Sequence, residues 1–246
     1  MDITDPQSGN ASAGKPVLWR LFVALVLPTV FILVVITLFF AVRSAMGYDV
    51  SSSNTLVNEH ISYFVILNHT ISFCVMFLFL RKDGLRLSDI GFRLPDQGSK
   101  GLIIEIALAV ISTLIVIGLL TTIMPLFETA QAETPALVRG DKKLGNTFWI
   151  ALFASVVVAS FVEESIFRGY GMTGFRRRWG LLSAILVSSA FFGLFHISYG
   201  LVGVIRTFFQ GLVFALLFAR SRSLLGPMVA HSLTNLIGTL SAFDVL

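Results

Sequence analysis

Two carboxylates and a guanidinium lie within six residues of one another, near the end of a long apolar stretch: Glu163, Glu164 and Arg168. A charged side chain at the centre of a membrane-spanning helix costs about 2.5–3.5 kcal/mol, even on mild insertion scales. Three such groups in one short segment of apolar sequence therefore need a structural or chemical reason.

Helix geometry assigns the two acids different roles. Neighbouring residues on an α-helix point about 100° apart, whereas residues four apart share a face. Arg168 follows Glu164 by four residues, so the two are predicted to form an ion pair, which makes a buried charge tolerable. Glu163 shares its face with Phe167 and has no partner in its own helix. We therefore predict that Glu164 and Arg168 are structural and that Glu163 is a general base or acid.

Two later apolar helices each present a polar pair at the same spacing. Phe192 is followed by His196, and His231 by Asn235, four residues on in both cases. Glu163, His196, His231 and Asn235 together are predicted to activate a water molecule and to stabilise an oxyanion, with Phe192 in a supporting role. The alternative is a zinc site, in which Glu163, His196 and His231 are the ligands and one position stays open.

Other polar residues in apolar segments have simpler expected roles. His69, beside Asn68, is predicted to form a structural hydrogen bond, with a position lining the site as the alternative. Glu105, near a helix end, is expected to extend its carboxylate to the membrane interface. The single cysteine excludes an internal disulfide.

The composition is that of an integral membrane protein. The chain has 246 residues, of which 55% are hydrophobic and 13% charged, against about 25% charged in soluble domains. A spanning helix needs about 20 apolar residues, and about seven such runs occur. They lie near 17–42, 60–80, 101–124, 146–168, 181–198, 201–219 and 224–243. Basic and aromatic residues do not interleave on one face, which argues against nucleic-acid binding.

The predicted fold is an all-α, polytopic membrane bundle of about seven transmembrane helices with an interfacial segment near residues 85–92. Residues 1–16 are predicted to be a disordered tail, 17–145 the N-terminal transmembrane helices and loops, and 146–246 the catalytic region. Lys and Arg are concentrated in the segments that face the cytoplasm when the N-terminus is inside. A multi-pass protein of the cell membrane with a cytoplasmic N-terminus is therefore expected.

The predicted site lies between the fourth, fifth and seventh helices, and its members start at unequal depths. Glu163 is close to the predicted end of the fourth helix, whereas His196 lies far along the fifth. The two side chains can meet only if the start of the fifth segment is bent or interfacial, or if the fourth helix continues past Arg168. We expect one of these two arrangements.

The three motifs, in this order, resemble the CAAX protease and bacteriocin-processing (CPBP, or Abi) family, which includes the type II CAAX prenyl endopeptidases. The resemblance covers Asn146 to Asn235. It implies an intramembrane endopeptidase in which Glu163 and His196 activate water, while His231 and Asn235 form the oxyanion hole. A mechanism without a metal cofactor is favoured, and the zinc alternative stays open. The implied substrate is a membrane protein or peptide, including the prenylated CAAX type.

The same resemblance allows a second function. Some family members act in bacteriocin self-immunity, so the chain could instead bind or sequester a membrane partner without cleaving it. Transport of a small solute has less support, because the first half of the chain has few polar residues in its apolar segments and no repeat is visible. The sequence does not assign an oligomeric state.

Overall fold

The structure, a computed structural model, describes residues 18–48, 53–95, 98–123, 146–243 and 245. These residues form helices and no strand, which confirms the all-α prediction for the part of the chain described. The α-helices are α1 Leu18–Ala45, α2 Ser53–Lys82, α3 Gly98–Ile123, α4 Asn146–Leu152, α5 Ser160–Glu164, α6 Thr173–Phe195, α7 Gly200–Ser221 and α8 Leu225–Ala242. Two short 3₁₀ helices span Leu87–Ile90 and Ile197–Tyr199.

Five helices in the described ranges are long and apolar enough to cross a membrane, by length and composition. They indicate a multi-pass membrane protein. The predicted number of seven crossings is not confirmed, because residues 147–195 count as one continuous candidate and α8 is not among the five. The predicted tail at 1–16 and residues 124–145, between α3 and α4, lie outside the described residues. A cytoplasmic N-terminus stays a prediction.

Two π-helical segments interrupt the helix that carries the acidic pair. The first spans Phe153–Ala159 and the second Ser165–Met172, so that the five-residue α5 lies between them. The helical run continues past Arg168 and breaks at Gly180, whose φ of 82° and ψ of 178° are non-helical. Continuation past Arg168 is one of the two expected arrangements, and it places Glu163 near the middle of the run.

Side chains from neighbouring helices satisfy carbonyl groups in the π-helical segments. Ser232 Oγ donates to Val156 O at 2.8 Å, and Ser188 Oγ donates to Phe167 O at 2.9 Å. Such partners are needed because a π-helical turn disturbs the regular ladder of backbone hydrogen bonds, and lipid supplies none in exchange. The two segments are therefore held in place by α8 and by α6.

Polar contacts also tie the two halves of the chain together. Asp83, just after α2, forms an ion pair with Arg20 of α1 and accepts a hydrogen bond of 2.6 Å from the hydroxyl of Tyr170. Glu105 of α3 is fully buried, and its Oε1 accepts a hydrogen bond of 2.7 Å from Arg220 of α7. The expectation that Glu105 reaches the interface is therefore wrong: the carboxylate stays buried, and the half-exposed Arg220, in the last turn of α7, reaches in and neutralises it.

The predicted interfacial segment forms the short 3₁₀ helix Leu87–Ile90, which docks on the turn between α7 and α8. The backbone N–H of Leu224 donates to Gly91 O at 2.9 Å, and Ser223 Oγ donates to Arg93 O at 2.7 Å. Ile90 is completely buried. These contacts position the start of α8, the helix that carries His231 and Asn235.

Candidate active site

Glu164, the second glutamate of the pair, accepts hydrogen bonds from Arg168 and His231. Glu164 is fully buried, and its Oε1 accepts a hydrogen bond of 3.0 Å from Arg168 Nη1. The same oxygen lies 2.8 Å from His231 Nδ1, which comes from α8. The salt bridge expected from the four-residue spacing is therefore present, and the carboxylate also binds one of the two predicted histidines. Because a carboxylate only accepts, His231 Nδ1 carries the proton and Nε2 faces away from Glu164.

Arg168 has no access to solvent and is enclosed by aromatic rings and a backbone carbonyl. Its guanidinium carbon lies 4.3 Å from the centre of the Phe192 ring and 5.3 Å from that of Phe214. Nη2 donates to Gly211 O at 3.0 Å. A Cβ atom at Gly211 would lie 3.1 Å from Nη2, so glycine lets α7 pass the guanidinium without displacing it. Cation–π contacts and the ion pair together stabilise the buried charge.

Glu163 has a partner that its own helix does not supply. His69 Nε2, in α2, lies 2.9 Å from Glu163 Oε1, and both side chains are buried. His69 Nδ1 lies 2.7 Å from Val65 O; since a carbonyl only accepts, Nδ1 donates there. If Nδ1 carries the proton of a neutral ring, Nε2 has only a lone pair, and so does the facing Glu163 carboxylate oxygen. A hydrogen bond between Nε2 and Oε1 therefore requires one further proton. The His69–Glu163 pair therefore holds one proton more than a neutral imidazole beside an ionised carboxylate.

The second oxygen of Glu163 is directed toward the remaining site residues. Glu163 Oε2 is buried and has no hydrogen-bond partner among the described residues. His231 Nε2 lies 4.0 Å from this oxygen. A gap of this length is too long for a direct hydrogen bond and suits a small polar group that bonds to both atoms.

His196 lies at the C-terminal end of α6 and interacts electrostatically with Glu163. Its Nδ1 donates to Phe192 O at 2.9 Å, which leaves Nε2 as the free ring nitrogen. The ring packs against Phe192, with a distance of 4.9 Å between ring centres, and stacks on Tyr199 at 5.7 Å. The fold thus brings His196 and His231, from two different helices, into contact with Phe192, whose ring centre lies 5.6 Å from that of His231.

Asn235 makes its contacts with the first π-helical segment and α5. Its Nδ2 donates to Ser155 O at 2.8 Å and lies 3.4 Å from Ser160 Oγ. These bonds engage the amide nitrogen that was predicted to stabilise an oxyanion. Asn235 therefore has a structural partner in this conformation, and an oxyanion role requires it to exchange one of these bonds.

A small cavity opens beside Glu163. It is bordered by α1, α2, the acidic helical run and the end of α6, and most of its surface is apolar. The lining residues are Ala24, His69, Ser72, Val162, Glu163, Ile166, Phe167 and Phe195. Of the predicted catalytic residues, Glu163 lines this cavity, whereas His196, His231 and Asn235 do not, and α1 and α2 contribute Ala24, His69 and Ser72.

The sequence interpretation gave too little weight to His69 as a residue that contacts the predicted base, Glu163. A structural hydrogen bond was the favoured role, and that bond exists with Val65, but the other ring nitrogen binds the predicted base. The available signal was an ionisable side chain deep in an apolar helix, which is a functional-site hypothesis by default. What the sequence did not contain was the packing of α2 against α5 that brings His69 to Glu163.

The described part of the chain contains no set of side chains that could serve as the ligands of the alternative zinc site. No three or more His, Cys, Asp or Glu side chains there are arranged so that they could hold a metal ion. Three of the relevant ring nitrogens, the Nδ1 atoms of His69, His196 and His231, already bind protein oxygen atoms.

Comparison with known proteins agrees with the resemblance of the motifs. Residues 145–237 match a family model described as type II CAAX prenyl endopeptidase Rce1-like. No curated protein and no solved structure matches the chain. The match covers α4 to most of α8, the same region as the three motifs, and is consistent with the CPBP family. It supports a membrane-embedded protease of the CAAX type in general.

Proposed function

We propose that the protein is an intramembrane endopeptidase that hydrolyses a peptide bond of a membrane-associated substrate with water activated by Glu163 and His196. The observation that carries the proposal is the state of the Glu163 carboxylate. One oxygen is held by His69 at 2.9 Å, whereas the other is buried without a protein partner and lies 4.0 Å from His231 Nε2. A buried, unpartnered carboxylate oxygen beside a cavity is suited to bind a water molecule and to take its proton.

In the proposed reaction, Glu163 Oε2 takes a proton from the water while the water oxygen attacks the carbonyl carbon of the substrate. The free Nε2 of His196 accepts a hydrogen bond from the same water and orients it. The carbonyl π electrons move to oxygen, which becomes an oxyanion. The oxyanion electrons then re-form the C=O bond as the C–N bond breaks; the C–N electron pair goes to nitrogen, and the proton held on Glu163 passes to the leaving amine.

His231 can assist the oxyanion if its second nitrogen is protonated. Nδ1 is bound to the Glu164 carboxylate at 2.8 Å, so Nε2 is the ring nitrogen left to face the reacting groups. The protonated Nε2 then donates to the oxyanion. Asn235 is the second proposed donor, after its amide has given up Ser160 Oγ, the longer of its two contacts at 3.4 Å. Removing one such donor typically costs about 10²–10³-fold in kcat.

The substrate class follows from the site and from the family match. The cavity is largely apolar and lies between helices of a membrane protein, which favours a substrate that approaches along the bilayer. The matching family is described as prenyl endopeptidases, so a peptide with a prenylated CAAX terminus is the proposed substrate. No cofactor is proposed.

The test has two parts. Purified wild-type protein and Glu163→Gln are incubated with a fluorogenic peptide that ends in a farnesylated CAAX sequence. In parallel, the membrane proteomes of cells that express either form are compared for new peptide termini. We expect cleavage by the wild-type protein alone. Full activity of Glu163→Gln, or no cleavage product in either assay, would overturn the proposal. Partner binding or immunity that survives Glu163→Gln, without any cleavage, would instead favour the non-enzymatic alternative.

A further inference from the structure

His69 belongs to the part of the chain that precedes the region matched by the family model. It lies in α2, whereas the match begins at residue 145. Its side chain is nevertheless buried against Glu163, with its Nε2 atom 2.9 Å from Oε1. This contact joins the N-terminal helices to the proposed general base.

We propose that His69 is a positioning residue that holds Glu163 by Oε1 and thereby leaves Oε2 as the oxygen that reacts with water. The proposal rests on the proposed function, because it assigns the orientation of the same base. His69 acts through Glu163 and needs no contact with the substrate.

The ring of His69 is fixed at both nitrogens. Nδ1 donates to Val65 O, one turn earlier in the same helix, at 2.7 Å. The ring plane is therefore set by α2 itself, and Nε2 has a fixed direction. The Glu163 carboxylate would otherwise rotate readily about its last side-chain bond, which would make Oε1 and Oε2 equivalent. A fixed donor bound to Oε1 makes the two oxygens different. The other oxygen of Glu163 is then the one that lies 4.0 Å from His231 Nε2.

The charge balance of the site supports the same role. Glu163 and Glu164 are adjacent and buried, and Arg168 neutralises only Glu164 directly. The extra proton makes the His69–Glu163 pair neutral overall, which lowers the free-energy cost of burying the Glu163 carboxylate. During hydrolysis this proton stays on the pair, while the proton taken from water moves through Oε2 to the amine. The two oxygens of one carboxylate thus keep separate roles.

The experiment uses substitutions that separate a hydrogen-bond donor from a space-filling side chain. In Gln, the amide nitrogen is the same number of bonds from Cα as Nε2 is in His, whereas in Asn it is one bond closer. We therefore expect His69→Gln to retain kcat within about fivefold of the wild type, because it keeps a donor to Oε1. His69→Asn and His69→Ala should lose about 100-fold in kcat, with KM nearly unchanged, because the base is misplaced while substrate binding is intact.

Thr70→Ala is the matched control. Thr70 is next to His69, is exposed, and bonds only to Ile66 O in its own helix at 2.8 Å. It should leave kcat and KM at wild-type values. All variants are assayed with the farnesylated CAAX peptide, or with a peptide of the cleaved sequence that the proteome comparison identifies. The midpoint of thermal unfolding in detergent is measured for each.

The outcomes separate the two proposals. Wild-type kcat in His69→Asn and His69→Ala, with Glu163→Gln inactive, would overturn the role of His69 alone. Full activity of Glu163→Gln would overturn the proposed function. Equal losses in folded His69→Gln and His69→Asn would show that a donor to Oε1 is not what His69 supplies, and so would overturn the inference. If His69→Ala does not fold, the comparison of the two amide variants decides.

Discussion

His231 Nδ1 lies 2.8 Å from Glu164 Oε1, so the orientation of this imidazole is set by the second glutamate of the pair and not by the first. Glu164 in turn is held by Arg168, and Arg168 by Phe192 and Gly211. A continuous set of buried contacts therefore links α5, α7 and α8. This set of contacts begins at the free Nε2 of His231 and extends to the groups that enclose the buried Arg168 guanidinium.

The first prediction concerns Glu164. Glu164→Gln leaves the Arg168 charge buried without a counterion, and we expect a loss of about 3–5 kcal/mol in the free energy of unfolding. The double variant Glu164→Gln with Arg168→Met removes both charges and should recover most of that loss. Activity should remain low in both, because His231 has lost its carboxylate. Chemical denaturation and the peptide assay together measure the two effects. Recovery of activity in the double variant would contradict the assigned relation between Glu164 and His231.

The second prediction concerns Gly211. A Cβ atom there would approach Arg168 Nη2 at 3.1 Å and Phe192 Cδ1 at 3.2 Å. Gly211→Ala should therefore destabilise the protein by about 1–3 kcal/mol and lower kcat through the displaced guanidinium. Gly118→Ala in α3 is the control, because no atom lies within 4 Å of its added Cβ; in a helix it should be neutral or slightly stabilising. Thermal unfolding of both variants measures the difference, and equal midpoints would count against the proposed packing.

The third prediction separates two roles of Asn235. Ser232 and Asn235 are on the same helix, and each donates to a carbonyl of the first π-helical segment, at 2.8 Å in both cases. Ser232→Ala and Asn235→Ala should therefore lose similar stability, about 1 kcal/mol each. Only Asn235→Ala should lower kcat, by about 10²-fold, because only Asn235 is proposed to stabilise the oxyanion. Equal kcat values for the two variants would assign Asn235 a purely structural role.

The fourth prediction concerns metal. The site residues of the described chain do not converge as a ligand set for a metal ion, and the proposed hydrolysis needs only a carboxylate and imidazole groups. Peptide cleavage should therefore be unaffected by 1,10-phenanthroline or EDTA at millimolar concentration. Zinc should be well below one equivalent per chain by elemental analysis. Loss of activity on chelation, with recovery on adding Zn²⁺, would restore the zinc alternative.

Local spacing predicted the contacts that lie within one helix or depend on one sequence motif. The Glu164–Arg168 salt bridge follows from a separation of four residues, and the all-helical fold follows from the apolar runs. The His69–Glu163 contact does not, because the two residues are 94 positions apart and only the packing of α2 against α5 joins them. Asn235 contacts the helical run that bears the acidic pair, but its bond to Ser155 depends on a π-helical turn, which no spacing rule reveals.

The same limit explains Glu105. Its place near a helix end suggested an interfacial carboxylate, because the sequence shows position along a helix but not which neighbour covers it. Arg220, 115 residues later, is the neighbour that makes burial tolerable. Partners from distant segments thus account for both differences between the expected and the observed environment of an ionisable group.

The π-helical segments on either side of α5 have a consequence for the phase of the whole helix. A π-helical turn closes its hydrogen bond one residue later than an α-helical turn, so each segment contains an extra position compared with a regular helix. Because the wide turn takes up this extra residue, deleting one residue from Phe153–Ala159 would restore a regular turn and leave the residues before it in phase with Glu163, whereas the same deletion from a regular helix would rotate them by about 100°. The carbonyl groups of Ser155 and Val156, which accept from Asn235 and Ser232 in the wide turn, would then be drawn back toward the regular ladder. The first π-helical segment therefore offers backbone acceptors to α8 without turning the acidic pair away from its partners.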